Sequence, residues 1–226
     1  TMAYYRIGLG DDDSTGYTGE ETDETTIAKA TIGSTVANLD TWTASSNTAV
    51  KYFISINNLE TGEVGNMEAL LTHNDATAYV STYNETYSGS NSLLTVTADY
   101  DSGTVRLRGS ATAGSNTRVT AYKILLADTE SAETGTNTRT IANVTVSSTA
   151  TAIDTFTDGN TGTESGYDAC HYIVTGQRGS VKFVTEATVV TDGTNAYISQ
   201  QGDVSTKTTP MLELTATHDG SSTVTL

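Results

Sequence analysis

The sequence predicts an all-β protein made of tandem β-sandwich modules, immunoglobulin-like or jelly-roll-like, and three observations carry that prediction. One pattern occurs twice: Thr26-Ile27-Ala28-Lys29-Ala30-Thr31-Ile32-Gly33-Ser34-Thr35 is answered 114 residues on by Thr140-Ile141-Ala142-Asn143-Val144-Thr145-Val146-Ser147-Ser148-Thr149. Short β-branched and aromatic runs recur between turn residues, as in Val50-Lys51-Tyr52-Phe53-Ile54-Ser55-Ile56, and such spacing marks sandwiches and barrels. No stretch carries apolar residues at helical spacing over three turns.

Taken in chain order, residues 1–11 come before the first full copy. Tyr5-Arg6-Ile7-Gly8-Leu9-Gly10-Asp11 reads like Tyr122-Lys123-Ile124-Leu125-Leu126-Ala127-Asp128. The segment is therefore predicted to be an isolated strand. It is either the last strand of a preceding module or a donor strand, with Tyr4, Tyr5, Ile7 and Leu9 as its contact residues. Residues 12–25 are an acidic linker that cannot bury apolar surface. Residues 26–128 are the first module, with strands expected at 26–32, 50–56, 67–72, 76–83, 93–100, 104–109 and 118–127. Leu94-Thr95-Val96-Thr97-Ala98 alternates as a half-buried strand should. Asp99-Tyr100-Asp101-Ser102-Gly103 and His73-Asn74-Asp75 supply hairpin turns. Residues 129–139 are a second linker, and residues 140–226 are the second module.

The two copies align further along. Leu39-Asp40-Thr41-Trp42 answers Ile153-Asp154-Thr155-Phe156 at the same offset. Tyr52-Phe53-Ile54 is set against His171-Tyr172-Ile173 after a five-residue insertion, then Glu68-Ala69 against Glu186-Ala187. Ala78-Tyr79-Val80-Ser81 is set against Ala196-Tyr197-Ile198-Ser199, and Thr104-Val105-Arg106-Leu107 against Thr223-Val224-Thr225-Leu226. The second module is expected to lack its last strand, the one at 118–127 in the first. An unpaired edge needs covering. Two fillers are open: a polypeptide that continues, which is the favoured one, or Tyr4–Leu9 of a neighbouring subunit.

Composition narrows the function. Hydrophobic residues are 36% of the chain, which suits thin modules with small cores. With 11 basic and 27 acidic residues the net charge is −16, so nucleic acid and anionic membrane surfaces are not expected partners. No apolar run reaches the roughly 18 residues that would suggest a membrane span. The opening Thr1-Met2-Ala3-Tyr4-Tyr5-Arg6 has no apolar signal region, so export is expected by another route or through a signal outside these residues. Cys170 is the one cysteine and is read as a small buried residue at a strand start.

The candidate chemistry is sparse. His73, His171 and His218 fall at different module positions, opposite Thr191, Tyr52 and Tyr100, so no shared catalytic histidine is expected. Glu68 and Glu186 occupy one module position and are read as solvent-facing strand residues, not as a glycosidase pair. Asp99-x-Asp101-x-Gly103 and Asp11-Asp12-Asp13 begin oxygen-ligand patterns but supply no full calcium set. Trp42 and Phe156 share a position and read as core or interface plugs. Tyr83 and Tyr87, which stand against Gln201 and Ser205 in the second copy, are the candidates for a binding surface. No catalytic, cofactor-binding or metal-binding residue is assigned, and the chain is read as non-enzymatic.

Leu39-Asp40-Thr41-Trp42, Lys51-Tyr52-Phe53-Ile54, Glu68-Ala69-Leu70-Leu71-Thr72-His73-Asn74, Thr77-Ala78-Tyr79, Leu93-Leu94 and Gly103-Thr104-Val105-Arg106-Leu107 together resemble repeat modules in virion structural proteins of marine tailed phages, cyanobacterial myoviruses among them. The second copy departs from the pattern at Thr225, which replaces Arg106, and in its absent final strand. The resemblance implies a component of an extracellular particle: a fibre, a tail or neck appendage, or a capsid decoration. Its partners would be other copies of itself and other virion proteins. The alternatives are an adhesin that binds a host-surface protein or glycan, and a secreted filament or surface-layer protein assembled by strand donation.

Overall fold

The computed structural model describes residues 25–112, 114, 116–126, 144–157, 169–207 and 211–226. It is all-β, and none of the described residues is helical. The first half contains eight strands: β1 (Thr25–Ile32), β2 (Ala37–Thr43), β3 (Ala49–Asn58), β4 (Val64–His73), β5 (Ala78–Tyr87), β6 (Leu94–Asp101), β7 (Thr104–Ala111) and β8 (Thr117–Leu126). They form a five-stranded sheet, β1-β8-β3-β4-β5, and a three-stranded sheet, β2-β7-β6. Every pairing is antiparallel.

The alternation of β7 puts Val105, Leu107, Gly109 and Ala111 on its buried face. Val50, Tyr52, Ile54 and Ile56 come to the same core from β3, and Leu39 and Trp42 from β2. Each large apolar side chain so buried contributes roughly 1.5–3 kcal/mol. Asp101 and Thr104 flank a two-residue turn with Ser102 at φ 50 and Gly103 at φ 87. Two left-handed residues in a row are what a tight hairpin with the strands' own twist requires.

The second half repeats six of these strands: β9 (Thr155–Thr157), β10 (Ala169–Arg178), β11 (Val181–Thr191), β12 (Ala196–Ser205), β13 (Thr217–His218) and β14 (Thr223–Thr225). Sheet β10-β11-β12 reproduces β3-β4-β5, and sheet β9-β14-β13 reproduces β2-β7-β6. The cross-strand partners match. Trp42 lies opposite Val105 and Phe156 opposite Val224, all four buried. No counterpart of β1 or β8 is paired among the described residues of this half.

Three expectations are corrected. The seven expected strands of the first half are eight. The added strand, Ala37–Thr43, carries a weak sequence signal because a register shift between Asn38 and Asp40 interrupts its alternation and only Leu39 and Trp42 are buried in it. The alignment of Tyr52 with His171 is off by one. Tyr52 lies opposite Ala69 and Tyr172 opposite Ala187, so Tyr172 is the true counterpart of Tyr52 and His171 that of Lys51. The insertion is thus six residues long. Finally, Glu186 does not face solvent but is fully buried, while Glu68 keeps a quarter of its side chain exposed.

The two halves pack sheet against sheet. Val184 of β11 and Val204 of β12 lie on Ala49 and Leu70, with Tyr79, Tyr83, Leu126 and Ile173 around them. This contact explains why β3 begins with four buried residues in succession and why β11 is buried from Val184 through Ala187. Both faces of those strand segments are covered.

Candidate functional site

A buried polar cluster lies where the halves meet. Lys51 points away from its own core, because its neighbours Val50 and Tyr52 fill that core. Its ammonium group pairs with Glu68 of β4 and with Glu186 of β11, and it donates to the Tyr83 hydroxyl. It also sits over the Phe53 ring at 4.7 Å and the Tyr83 ring at 4.5 Å. The side chains of Lys51 and Glu186 are 0% exposed. His171 Nε2 stands 3.6 Å from the second Glu186 oxygen, and Asn84 donates to Glu68 at 3.0 Å. The arrangement is an ion pair sealed between two sheets, with one cation shared by a carboxylate from each half.

Electrostatics agree with that description. Burial pushes the Glu186 carboxyl up, but His171, Lys51 and Tyr83 outweigh it and hold it below the ordinary glutamate range. Tyr83 is pushed far up, first by burial and then by the Glu186 charge. At neutral pH the cluster therefore holds a carboxylate at Glu186 and a neutral phenol at Tyr83, and Lys51 supplies the positive charge. A salt bridge of this kind positions and specifies. Lys51 and Glu186 are closed to water, whereas the His171 and Glu68 side chains are partly exposed.

A second buried pair ties β8 into the first half. Lys123 donates to Asp40 Oδ2 at 2.8 Å, and the Tyr52 hydroxyl donates to the same oxygen at 3.0 Å. Lys123 and Asp40 are 8% and 10% exposed. Burial, then Asp40, raises Tyr52 well above the usual tyrosine range. In the second half the Tyr172 hydroxyl donates to Asp154 Oδ2 at 3.3 Å, repeating the tyrosine–aspartate half of the arrangement. Tyr172 is raised by burial and by its neighbours Cys170 and Asp154.

The other sequence candidates are placed as follows. Tyr83 is drawn into the contact between the halves, while the Tyr87 hydroxyl, further along β5, bonds Glu85 and Ser92 at 2.9 and 3.0 Å. The two rings are therefore not brought into one binding surface. Tyr4, Tyr5, Ile7, Leu9 and the Asp11–Asp13 run lie outside the described residues. Asp99 takes a two-pronged bond from Arg106 at 2.6 and 2.8 Å and another from Arg108 at 2.8 Å. Asp101 takes a third arm of Arg106 at 2.9 Å, so the oxygens of this turn are engaged by arginine. Asp219, in the matching turn, accepts the backbone N–H groups of Ser221, Ser222 and Thr223.

The histidines are separate. His73 is buried, with Nε2 2.9 Å from the Asn47 carbonyl and its ring between Trp42 and Tyr100. His171 belongs to the Glu186 cluster, and His218 accepts the Gly220 N–H in a turn. Cys170 is half-buried on β10, and burial raises its thiol. A pocket of about 170 Å³ lies between β11, β12 and Met211-Leu212, lined also by Phe183, Gln200, Asp203 and Lys207. That is below the ~300 Å³ at which ligand pockets usually begin.

Sequence reasoning missed the role of Lys51, Glu68 and Glu186. The available signal was the run Ala69-Leu70-Leu71, which breaks alternation as a strand buried on both faces does. The comparisons with known proteins supply no relative: no protein-family model matches the chain, and no curated protein matches it.

Proposed function

We propose that the chain is a non-catalytic structural component of a phage virion, a fibre, tail or neck appendage or capsid decoration, built by repeating one β-sandwich. The observation that supports this reading is the direct sheet-to-sheet packing of two copies of one fold, locked by the buried Lys51 cluster. A spacer or decoration needs a fixed angle between modules, and an ion pair shared by both halves supplies register. The scattered histidines and the small pocket also favour a structural role over a depolymerase. The net charge of −16 keeps particles apart in salt water. The adhesin reading loses one of its two aromatic candidates, because Tyr83 is engaged between the halves.

The test is immunogold electron microscopy of particles from the source with antibodies raised against the purified chain. Labelling at a fixed position on a tailed particle supports the reading. Labelling of cell surfaces or free filaments alone removes the virion assignment. A screen against capsular and cell-wall polysaccharides should show no turnover, and turnover lost on Glu68→Gln or Glu186→Gln would remove the non-catalytic one.

A further inference from the structure

The contact between the halves uses opposite ends of one repeated sheet face. On the first half it lies towards the β4–β5 turn, at Leu70, Tyr79 and Tyr83, with Ala49 beside them on β3. On the second half it lies at the other end, where β11 begins and β12 ends, at Val184 and Val204. Between them Gly202 comes so close that a Cβ on it would stand 2.7 Å from the Tyr83 ring and 2.9 Å from Leu70. Lys182, at the start of β11, reaches Asp75 in the β4–β5 turn at 3.5 Å. The first end is thus a seat and the second a knob.

Each half carries both ends, and strand register says which residues correspond. Ala69 lies opposite Tyr52, and Ala187 opposite Tyr172. The register shifts at the same point in both halves, between Asn66 and Glu68 and between Val184 and Glu186. Asn84 and Gly202 stand opposite those shifts, and both have positive φ. The seat of the second half is therefore Thr188, Val190 and Tyr197, the counterparts of Leu70, Thr72 and Tyr79. The knob of the first half is Val64, Asn66 and Thr86, the counterparts of Lys182, Val184 and Val204. Both stand open. Val190 and its cross-strand partner Tyr197 are 42% and 54% exposed, whereas Thr72 is buried and Tyr79 half-buried. Val64 is 49% exposed, and Asn66 and Thr86 are exposed beside it.

We infer that the Val190–Tyr197 seat of one copy takes the Val64–Asn66 knob of a second copy of this chain, in the geometry in which the two halves pack. This stands on the packing of the halves and does not depend on the virion reading. The occupant is a second copy because seat and knob have changed together. Inside the chain Leu70 meets Val184 and Val204, apolar against apolar. Between copies Thr188 meets Asn66 and Thr86, polar against polar. Inside the chain Lys182 meets Asp75. Between copies Val64 takes the place of Lys182 and Gly193 that of Asp75, so the knob without the lysine faces the seat without the aspartate. Val64 then lies against Val190 and Tyr197. Asp192, at the rim, is engaged by the backbone of its own turn and by the Tyr197 hydroxyl. Seat and knob are different surfaces, so each copy offers one of each and the association propagates head to tail.

The experiment follows the full chain by analytical ultracentrifugation against concentration, with thermal unfolding as the control on the fold. Association that grows with concentration up to about 1 mM is expected. Val190→Glu in the seat and Val64→Glu in the knob should each weaken it at least about tenfold. Both positions are exposed, so the unfolding temperature should not move. The two variants mixed in equal amounts should form a one-to-one dimer and nothing larger, because the intact seat of one meets the intact knob of the other. A full chain that is monomeric at about 1 mM overturns the inference. So does a Val64→Glu variant that associates as well as the parent, which would set seat against seat, and so does a mixture of the two variants that stays monomeric. Should either glutamate lower the unfolding temperature, serine at the same position repeats the test with the same expected and overturning results.

Discussion

The two halves of the molecule use the same six strands at the same relative positions, yet they differ in what completes them. In the first half β8 joins β1 to β3, and a single core gathers Ile32, Leu39, Trp42, Val50, Tyr52, Ile54 and their neighbours. In the second half the buried core is Phe156, Ala187, Val189, Leu214, Val224 and Leu226. Its sheet depends instead on the outer face of β11 and β12, which rests on the first half. Among the described residues no strand pairs with the outer edge of β10, and residues 144–147, which match β1, form no strand.

The largest expected effect tests that dependence. Lys51→Met leaves Glu186 buried without its cation and should cost about 3–5 kcal/mol, read by urea unfolding. The second half should lose protection first, because the pair is its tie to the first. Glu186→Gln should cost less than half as much, since Lys51 keeps Glu68. Equal effects would mean that the cluster is not shared as described. The pH dependence has the same origin. The Glu186 carboxyl is held below its usual value, so its stabilising share is present above about pH 4.3 and is lost as pH falls through the lower folded value.

A smaller effect concerns the second buried pair. Asp40→Asn removes the charge beside buried Lys123 and should destabilise the first half by about 3 kcal/mol. Thermal unfolding of the variant checks the loss, and a loss of only about 1 kcal/mol, the scale of one neutral hydrogen bond, would deny that the pair is closed to water.

Smaller again is the arginine difference. Arg106→Thr copies the second half's residue at that position into the first. It should cause a slight, salt-sensitive loss of stability, because the bonds to Asp99 and Asp101 lie at the surface. A loss that does not shrink in high salt would contradict a surface origin. The smallest effect concerns the matched turns. Asn74 and Asp192 each accept two backbone N–H groups. Those bonds hold the Asp192 carboxyl at about 2, so its turn should loosen as pH falls from about 4 towards that value. The Asn74 turn has no such titration. NMR shifts of Gly193 and Ala76 against pH distinguish them.

Much of the fold was legible in the residues. The repeat of Asp40-Thr41-Trp42 as Asp154-Thr155-Phe156 located two aromatic plugs, and both are buried against a valine of the neighbouring strand. The turns at Asp101–Thr104 and at Asp192–Asn195 follow from their Gly, Asn and Asp content. The Tyr52 alignment failed because identity was sought at the wrong spacing: Tyr52 and Tyr172 both bond an aspartate, and that bond fixes their equivalence. The candidate site was less legible. A strand such as Met67–Thr72 states which residues alternate, but a charged residue on its outward face reads as solvated until something is known to cover it.

The sequence by itself determined the class of fold, the repeated unit, most strand positions and the turns, because these depend on local φ preferences and period-two burial, which neighbouring residues set. Only the tertiary structure decided that the two sheets stack face to face, that Lys51 is shared by Glu68 and Glu186, and that β10 keeps an open edge among the described residues. Those facts depend on groups more than a hundred residues apart in the chain meeting in space, and no local pattern encodes which outward face finds a partner.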